Sequence, residues 1–224
     1  MLINADFSLP AAVTADQYQW KASPQSGVER VMLDRVGEEK ARATSIVRYA
    51  AASRFPEHQH PGGEEILVLS GTFSDEHGDY PAGWYLRNPP GTSHAPFSDE
   101  GAVIFVKLWQ MPADERRSVR IDTSAPAVWH SAGDRETCPL FTGDYEQVCL
   151  QRLAAGTAMF PEAVESAELL VLSGALVAGE QCYGQGSWIR LPAGEYPEFT
   201  AGAEGATFYL KTGHLGGALP EIPG

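Results

Sequence analysis

The chain has 224 residues, 43% of them hydrophobic, which suits one large folded domain or two of about a hundred residues. A formal net charge of −13 at pH 7 predicts that neither nucleic acid nor an anionic membrane is a partner, because both need a basic surface. No apolar run approaches the about 18 residues of a membrane-spanning helix. The first residues lack the basic region of a signal peptide, and three scattered cysteines are typical of a reducing compartment. We therefore expect a cytoplasmic protein.

The predicted elements are β-strands almost throughout, since alternating, β-branched and aromatic segments are separated by Gly, Pro and Asp clusters. One modest helix candidate covers residues 11–19. In chain order the predicted strands are 28–36, 42–50, 64–71, 83–88, 102–109, 119–122, 146–154, 168–174, 187–191 and 206–212. This pattern predicts an all-β fold of antiparallel jelly-roll type.

An internal repeat indicates two copies of one unit. The five residues that end at Gly71 recur letter for letter before Gly174. Another glycine follows each of these after twelve residues, at Gly83 and Gly186. Repeats of this kind determine architecture, so we expect one domain over residues 1–115 and a second over 116–224.

Four side chains of the first copy have a spacing typical of a metal site. His58 and His60 have the same parity, so both would project from one face of a strand, and Glu64 keeps that parity. His94 follows a Pro- and Gly-rich turn that can lead into a further strand. Imidazole and carboxylate ligands favour Zn, Fe, Mn, Ni or Co over Ca or Cu(I). Glu65 has the opposite parity and is expected to face solvent or pair with a cation.

The second copy lacks the equivalent ligands. Ala163-Val164-Glu165 replaces the histidine pair, Ala167 takes the position of the glutamate, and Pro197 that of the last histidine. We expect this copy to bind no metal and to complete the fold.

These motifs resemble those of the cupin superfamily. His58, His60, Glu64 and Gly71 match its first motif, although Ala52 replaces the leading glycine. The second motif is matched by a further set of residues, with Ser98 where asparagine is usual: Gly83, Pro89, Gly91 and His94.

Within that superfamily, the sequence from His58 to Pro96 most resembles the cupin domain of ChrR-type anti-sigma factors. The resemblance implies a double-stranded β-helix (jelly-roll) bicupin with two tandem cupin barrels, the second degenerate. It also implies one divalent metal ion, zinc in that family, held by the three histidines and Glu64. Iron, manganese and nickel are the alternatives. In that family an N-terminal helical domain contacts the sigma factor and binds zinc through a histidine and a C-x2-C pair, whereas this sequence has no histidine before His58 and no C-x2-C pair.

Two functions from different classes follow. The first is a zinc-binding regulatory sensor of the ChrR type, with a sigma factor or another regulatory protein as partner. The second is an Fe(II)-dependent dioxygenase that cleaves a small ketone or phenolic substrate. A sugar-phosphate isomerase ranks lower, because no basic cluster accompanies the motifs. A small-molecule ligand in the first barrel and a homodimer also remain open.

Three further residues are cavity candidates. Tyr85 and Arg87 share one parity on the strand that enters the second motif, and Phe105 offers an apolar side chain on a later strand. Tyr85 and Arg87 would line the metal cavity or face outward, whereas Phe105 would form an apolar wall of the cavity or pack in the core. His77, His130 and His214 lie outside any motif and are expected to be exposed loop residues.

Overall fold

A computed structural model describes residues 1–38, 40–196 and 198–215, and nearly all of its regular structure is β-strand. The all-β prediction is confirmed. Strands β1 to β14 are Leu2–Ile3, Ala11–Val13, Lys21–Ala22, Val28–Gly37, Ala41–Tyr49, Ser53–Arg54, His58–Gln59, Glu64–Asp75, Gly78–Pro81, Trp84–Asn88, Ser93–His94, Phe97–Ser98, Ala102–Leu108 and Val119–Asp122. Strands β15 to β21 are His130–Ala132, Arg135–Thr142, Gln147–Leu153, Ala167–Ala178, Gln181–Gly184, Trp188–Leu191 and Phe199–Thr212. Short 3-10 helices span Ala15–Gln17 and Pro126–Val128.

The chain divides into two compact units. Among the described residues, the first unit contains Met1–Ala5 and Gln19–Ser124, and the second contains Asp6–Tyr18 and 125–215. The first unit therefore extends past the domain boundary expected after residue 115, and the second unit includes a short segment from the N-terminal part of the chain.

The first unit is built on an antiparallel sheet with the strand order β1-β4-β5-β13-β8-β10-β14. A separate two-stranded sheet pairs β7 with β11. Residues paired directly across antiparallel strands lie on the same face of a sheet. One face of β8 therefore presents Glu64, Ile66 and Val68 inward, and Ile66 and Val68 join the apolar core with Val106 of β13.

The second unit repeats this arrangement. Its sheet has the strand order β15-β16-β17-β21-β18-β20-β2, again antiparallel. Strand β18 pairs with β20 and β21 as β8 pairs with β10 and β13. Its core contains Leu169, Val171, Phe208 and Leu210 among other buried apolar side chains.

Equivalent glycines mark the same turn of the two sheets. Gly71 has φ +69° and Gly174 has φ +68°. A Cβ atom on Gly71 would lie 2.0 Å from the carbonyl oxygen of Gly101, and one on Gly174 would lie 2.2 Å from that of Gly205. Only glycine fits such a close approach at positive φ, which explains why the repeated sequence ends on this residue.

Three sequence-based predictions need correction. Residues 11–19 form no α-helix: strand β2 and the 3-10 helix Ala15–Gln17 occupy most of this range. The domain boundary expected after residue 115 places strand β14 in the second copy, but this strand pairs with β10 in the first sheet. Strand β16 was missed. It contains Pro139, which cannot donate a ladder hydrogen bond, and its register shifts between Pro139 and Phe141.

Candidate metal centre

The four predicted ligands come together at one end of the first unit. One ligand atom from each of His58, His60, Glu64 and His94 lies within 4.8 Å of all the others. His60, Glu64 and His94 are buried and His58 is partly exposed. The ring centroids of the histidines are 4.6 to 5.2 Å apart. These residues are called the His3Glu cluster below.

Short backbone pairings set this geometry. Strands β7 and β11 place His58 directly opposite His94. The N–H group of His60 donates to the carbonyl of Thr92 at 2.9 Å, which fixes the next turn. Glu64 is the first residue of β8, so three imidazoles from a loop and a small sheet meet a carboxylate at the end of the main sheet.

Two glycines let the chain bend between His60 and Glu64. A Cβ atom on Gly62 would lie 2.6 Å from the Trp109 ring, and one on Gly63, which has φ +76°, would lie 2.4 Å from the Met111 sulfur. A larger side chain at Gly62 or Gly63 would therefore displace Trp109 or Met111. The Gly-Gly pair therefore allows Trp109 and Met111 to pack directly beneath the loop that carries the ligands.

Each histidine directs Nδ1 away from the centre of the cluster. Nδ1 of His60 lies 2.9 Å from the hydroxyl of Thr92, which itself donates to the carbonyl of Pro89 at 2.8 Å. Because that hydroxyl proton is already used, the imidazole is the donor and its proton is on Nδ1. Nδ1 of His94 lies 3.2 Å from a carboxylate oxygen of Asp75. Nδ1 of His58 lies 3.3 Å from the carbonyl of Pro56.

This pattern leaves the Nε2 lone pairs pointing inward. Nε2 of His60 and of His94 are buried without a hydrogen-bond partner, and each lies 3.3 Å from Oε2 of Glu64. Buried polar atoms without partners are costly, whereas histidines bound to a metal characteristically donate their other N–H to a carboxylate, hydroxyl or carbonyl. The residues present therefore fit a divalent metal ion, and the cluster is capable of binding one.

Glu64 is held by a chain of polar contacts. Its Oε2 accepts from Nδ2 of Asn88 at 2.9 Å, and Oδ1 of Asn88 accepts from Arg120 at 2.6 Å. The guanidinium of Arg120 thereby fixes which way the amide of Asn88 points. Arg120 comes from strand β14, and no motif or spacing indicated that this strand lies beside the first motif.

Burial and charge shift the pKa values of two ligands in opposite directions. Burial lowers the pKa of His60 to about 4, an effect that Glu64 only partly opposes. Burial also lowers the pKa of His94, but the hydrogen bond that the ring donates to Asp75 and the charge of Glu64 outweigh it, so this pKa is raised overall. The imidazole of His60 is thus held neutral, the form that ligates metals.

A cavity of about 230 Å³ opens beside the cluster. His58, His60 and Glu64 line it at one end. Its walls come from the inward faces of β4, β5 and β13 and from Trp109, with apolar side chains at Val47, Ile104, Val106 and Leu108. A small molecule in this cavity could reach a metal held by the cluster.

The prediction that Tyr85, Arg87 and Phe105 line this cavity is corrected. Direct pairing puts Arg87 opposite Glu65, and both Tyr85 and Phe105 opposite Leu67. All three side chains are buried on the face of the sheet that points away from Glu64. Strand parity established that Tyr85 and Arg87 share a face, but not which face that is.

Glu65 pairs with a cation, one of the two roles predicted for it. Its Oε2 lies 3.2 Å from Nη1 of Arg87. The carboxylate is buried and not solvent-exposed, since a guanidinium on the neighbouring strand compensates its charge.

The remaining histidines differ from one another. His77 and His130 are exposed, as expected. His214 was also expected to be exposed, yet its side chain is 3% exposed and its Nε2 lies 3.1 Å from Oε2 of Glu168. In the described part of the second unit, no three His, Cys, Asp or Glu side chains converge as a metal cluster would require.

Comparisons with known proteins agree with this architecture. Residues 9–112 match the family model of the ChrR cupin-like domain. No curated protein sequence matches the chain significantly. No helix in the part of the chain that the structure describes has the length and apolar character to cross a membrane.

Solved structures share the fold at low identity. A protein of Nostoc punctiforme PCC 73102, provisionally described as a dioxygenase, aligns with a TM-score of 0.71 and 14% identity over 100% of this chain and 86% of its own. The pirin YhhW of Escherichia coli, solved with nickel(II), gives 0.68 and 12% over 91% and 98%. A cupin 2 conserved barrel domain protein of Leptotrichia buccalis gives 0.59 and 12% over 95% and 99%.

Proposed function

We propose that this chain, a cupin-fold protein whose residues 9–112 resemble the ChrR cupin-like domain, is a metal-binding sensor. Its first unit holds one divalent ion through His58, His60, Glu64 and His94. The observation that supports this most directly is the inward Nε2 atoms of His60 and His94, which are buried without hydrogen-bond partners. Zinc is the favoured ion, because it takes histidine nitrogen and carboxylate oxygen readily and is the ion that the ChrR resemblance implies. Iron, manganese and nickel bind the same donors.

A regulatory role agrees with the way the cluster is built. The ligands come from a loop, a two-residue strand pair and the end of β8, so the ion would tie separate segments together. Loss of the ion, or a ligand in the adjacent cavity, would change the surface around residues 56–63. A regulatory protein would then bind this surface with a different affinity, and a sigma factor is one candidate for that protein.

The metal content of the purified protein tests the proposal. Protein produced without added metal should contain about one equivalent of zinc by mass spectrometry. The variants His60→Ala and His94→Ala should lose it, whereas His130→Ala, which removes an exposed histidine, should retain it. Equal metal content in all four proteins would contradict the proposed ligands.

A metal-dependent dioxygenase is the second candidate, and the cavity beside the cluster is the observation in its favour. The cavity is about 230 Å³, so a small ketone or phenolic compound could approach the metal through apolar walls. Bound iron would supply the redox chemistry. The chain's own residues would orient the substrate and exclude water.

Oxygen uptake separates the two candidates. Fe(II)-loaded protein would be incubated aerobically with small diketones and hydroxylated acetophenones. An enzyme should consume one dioxygen for each carbon–carbon bond cleaved, and the His94→Ala variant should not. A protein that binds these compounds without oxygen uptake fits the sensor.

A further inference from the structure

The cavity beside the His3Glu cluster is cationic although the protein as a whole is acidic. Two of its lining residues, Arg30 and Arg35, carry a positive charge, and Glu64 is the carboxylate among those residues. The formal charge of the lining is therefore +1 before any metal binds, against −13 for the chain. A metal ion would add to this positive charge, and a concave site of one sign attracts ligands of the other.

Arg30 is half-buried and, unlike the fully buried Arg42 and Arg87, has no ion-pair partner among the described residues. Its Nε is buried without a hydrogen-bond partner, and no carboxylate in the described residues pairs with it. By contrast, Arg87 lies 3.2 Å from Glu65 and Arg42 lies 3.7 Å from Asp34. Arg35 donates to the carbonyl of Glu38. The guanidinium of Arg30 is therefore available to a ligand in the cavity, since no carboxylate of the described residues pairs with it.

Strand pairing sets the separation between Arg30 and the cluster. Arg30 lies opposite Val47, which lies opposite Ile104 on β13. Glu64 lies opposite Leu108 on the same strand, four residues further along. At about 3.3 Å per residue, the backbone positions of Arg30 and Glu64 are therefore about 13 Å apart along the strand direction. The long side chain of Arg30 reaches into this gap from one end and Glu64 from the other. The space that remains between them suits a small molecule.

We propose that the cavity binds a small organic carboxylate, with Arg30 binding the carboxylate group and keto or hydroxyl oxygens at the other end directed to the metal. This inference rests on the proposed metal centre and adds the ligand class. The planar guanidinium suits a carboxylate because it can donate two parallel hydrogen bonds. Val47, Ile104 and Val106 would contact the carbon skeleton between the two ends.

Two nearly matched compounds test this assignment. The probe 2,4-dioxopentanoate carries a diketone and a carboxylate, whereas 2,4-pentanedione has the diketone alone. Their affinities would be measured by isothermal titration calorimetry on zinc-loaded wild type, Arg30→Gln and Arg152→Gln. The last variant removes the same charge from a half-exposed arginine of the second unit. Zinc content would be measured in each protein.

The wild type should bind the carboxylate about tenfold or more tightly than the diketone, the usual effect of a charge-assisted hydrogen bond. Arg30→Gln should reduce this ratio to about one with zinc content unchanged, and Arg152→Gln should preserve it. A preference that survives in Arg30→Gln overturns the inference, as does a wild type that binds neither compound or both equally. Wild type without zinc would overturn the proposed function itself, and the inference with it.

Discussion

The imidazole of His94 is oriented by Asp75, whose Oδ2 lies 3.2 Å from Nδ1 of the ring. Asp75 is the last residue of β8, the strand that begins with Glu64. One strand therefore supplies a predicted ligand at its first residue and the partner of another ligand at its last. Carboxylate–histidine pairs of this kind fix the tautomer and raise the basicity of a metal ligand.

Replacing Asp75 with asparagine should weaken zinc binding about 10- to 100-fold, the range typical of such partners. The variant loses the acceptor charge that keeps the proton of His94 on Nδ1. Competition with a zinc chelator measures the affinity. Glu76→Gln is the matched control, because it removes an equal charge from the neighbouring residue, whose half-exposed side chain accepts from the backbone of Ala95 and not from the ring of His94. An equal loss in both variants would indicate a general charge effect and not orientation of His94.

Removal of the metal should destabilise the first unit. A ligand that binds only the folded state at a thousand times its Kd stabilises by about 4 kcal/mol, which corresponds to a fall in Tm of about 8 °C or more when it is removed. Differential scanning calorimetry with and without chelator would measure this. The His60→Ala variant should melt at the same temperature in both conditions. A chelator effect of equal size in that variant would show that the stabilising ion lies elsewhere.

Gly71→Ala should cost about 3 kcal/mol of unfolding free energy, since positive φ and a close backbone contact add together. The new Cβ would lie 2.0 Å from the carbonyl oxygen of Gly101. Gly133→Ala is the control: that residue has φ +61° but nothing within 4 Å of the added atom, so about 1 kcal/mol is expected. Urea denaturation gives both values. Similar costs would mean that the sheet relaxes around the contact.

The cysteines should differ in their reactivity with iodoacetamide at pH 8. Burial raises the pKa of Cys149 to about 12 and that of Cys138 to about 11. Since the thiolate is the nucleophile, these two should react slowly in the folded protein, while the exposed Cys182 reacts first. Mass spectrometry would show one modification in native protein and three in urea. Rapid modification of Cys149 in native protein would contradict its raised pKa.

The sequence by itself determined most of the long strands and the four candidate ligands. Side-chain alternation and the glycines at Gly71 and Gly174 are local properties, so the predicted strands 42–50, 64–71 and 102–109 agree with β5, β8 and β13 to within a few residues. The four ligands are predicted from strand parity together with the resemblance to both cupin motifs.

Only the tertiary structure decided what surrounds those ligands. Asp75, Thr92 and Asn88 orient them through contacts between separate strands and loops, which no spacing reveals. The face chosen by Tyr85 and the unpartnered state of Arg30 likewise depend on how the sheet closes around its core. Parity is fixed by the geometry of a single strand, whereas the choice of face and of hydrogen-bond partner is a property of the packed molecule.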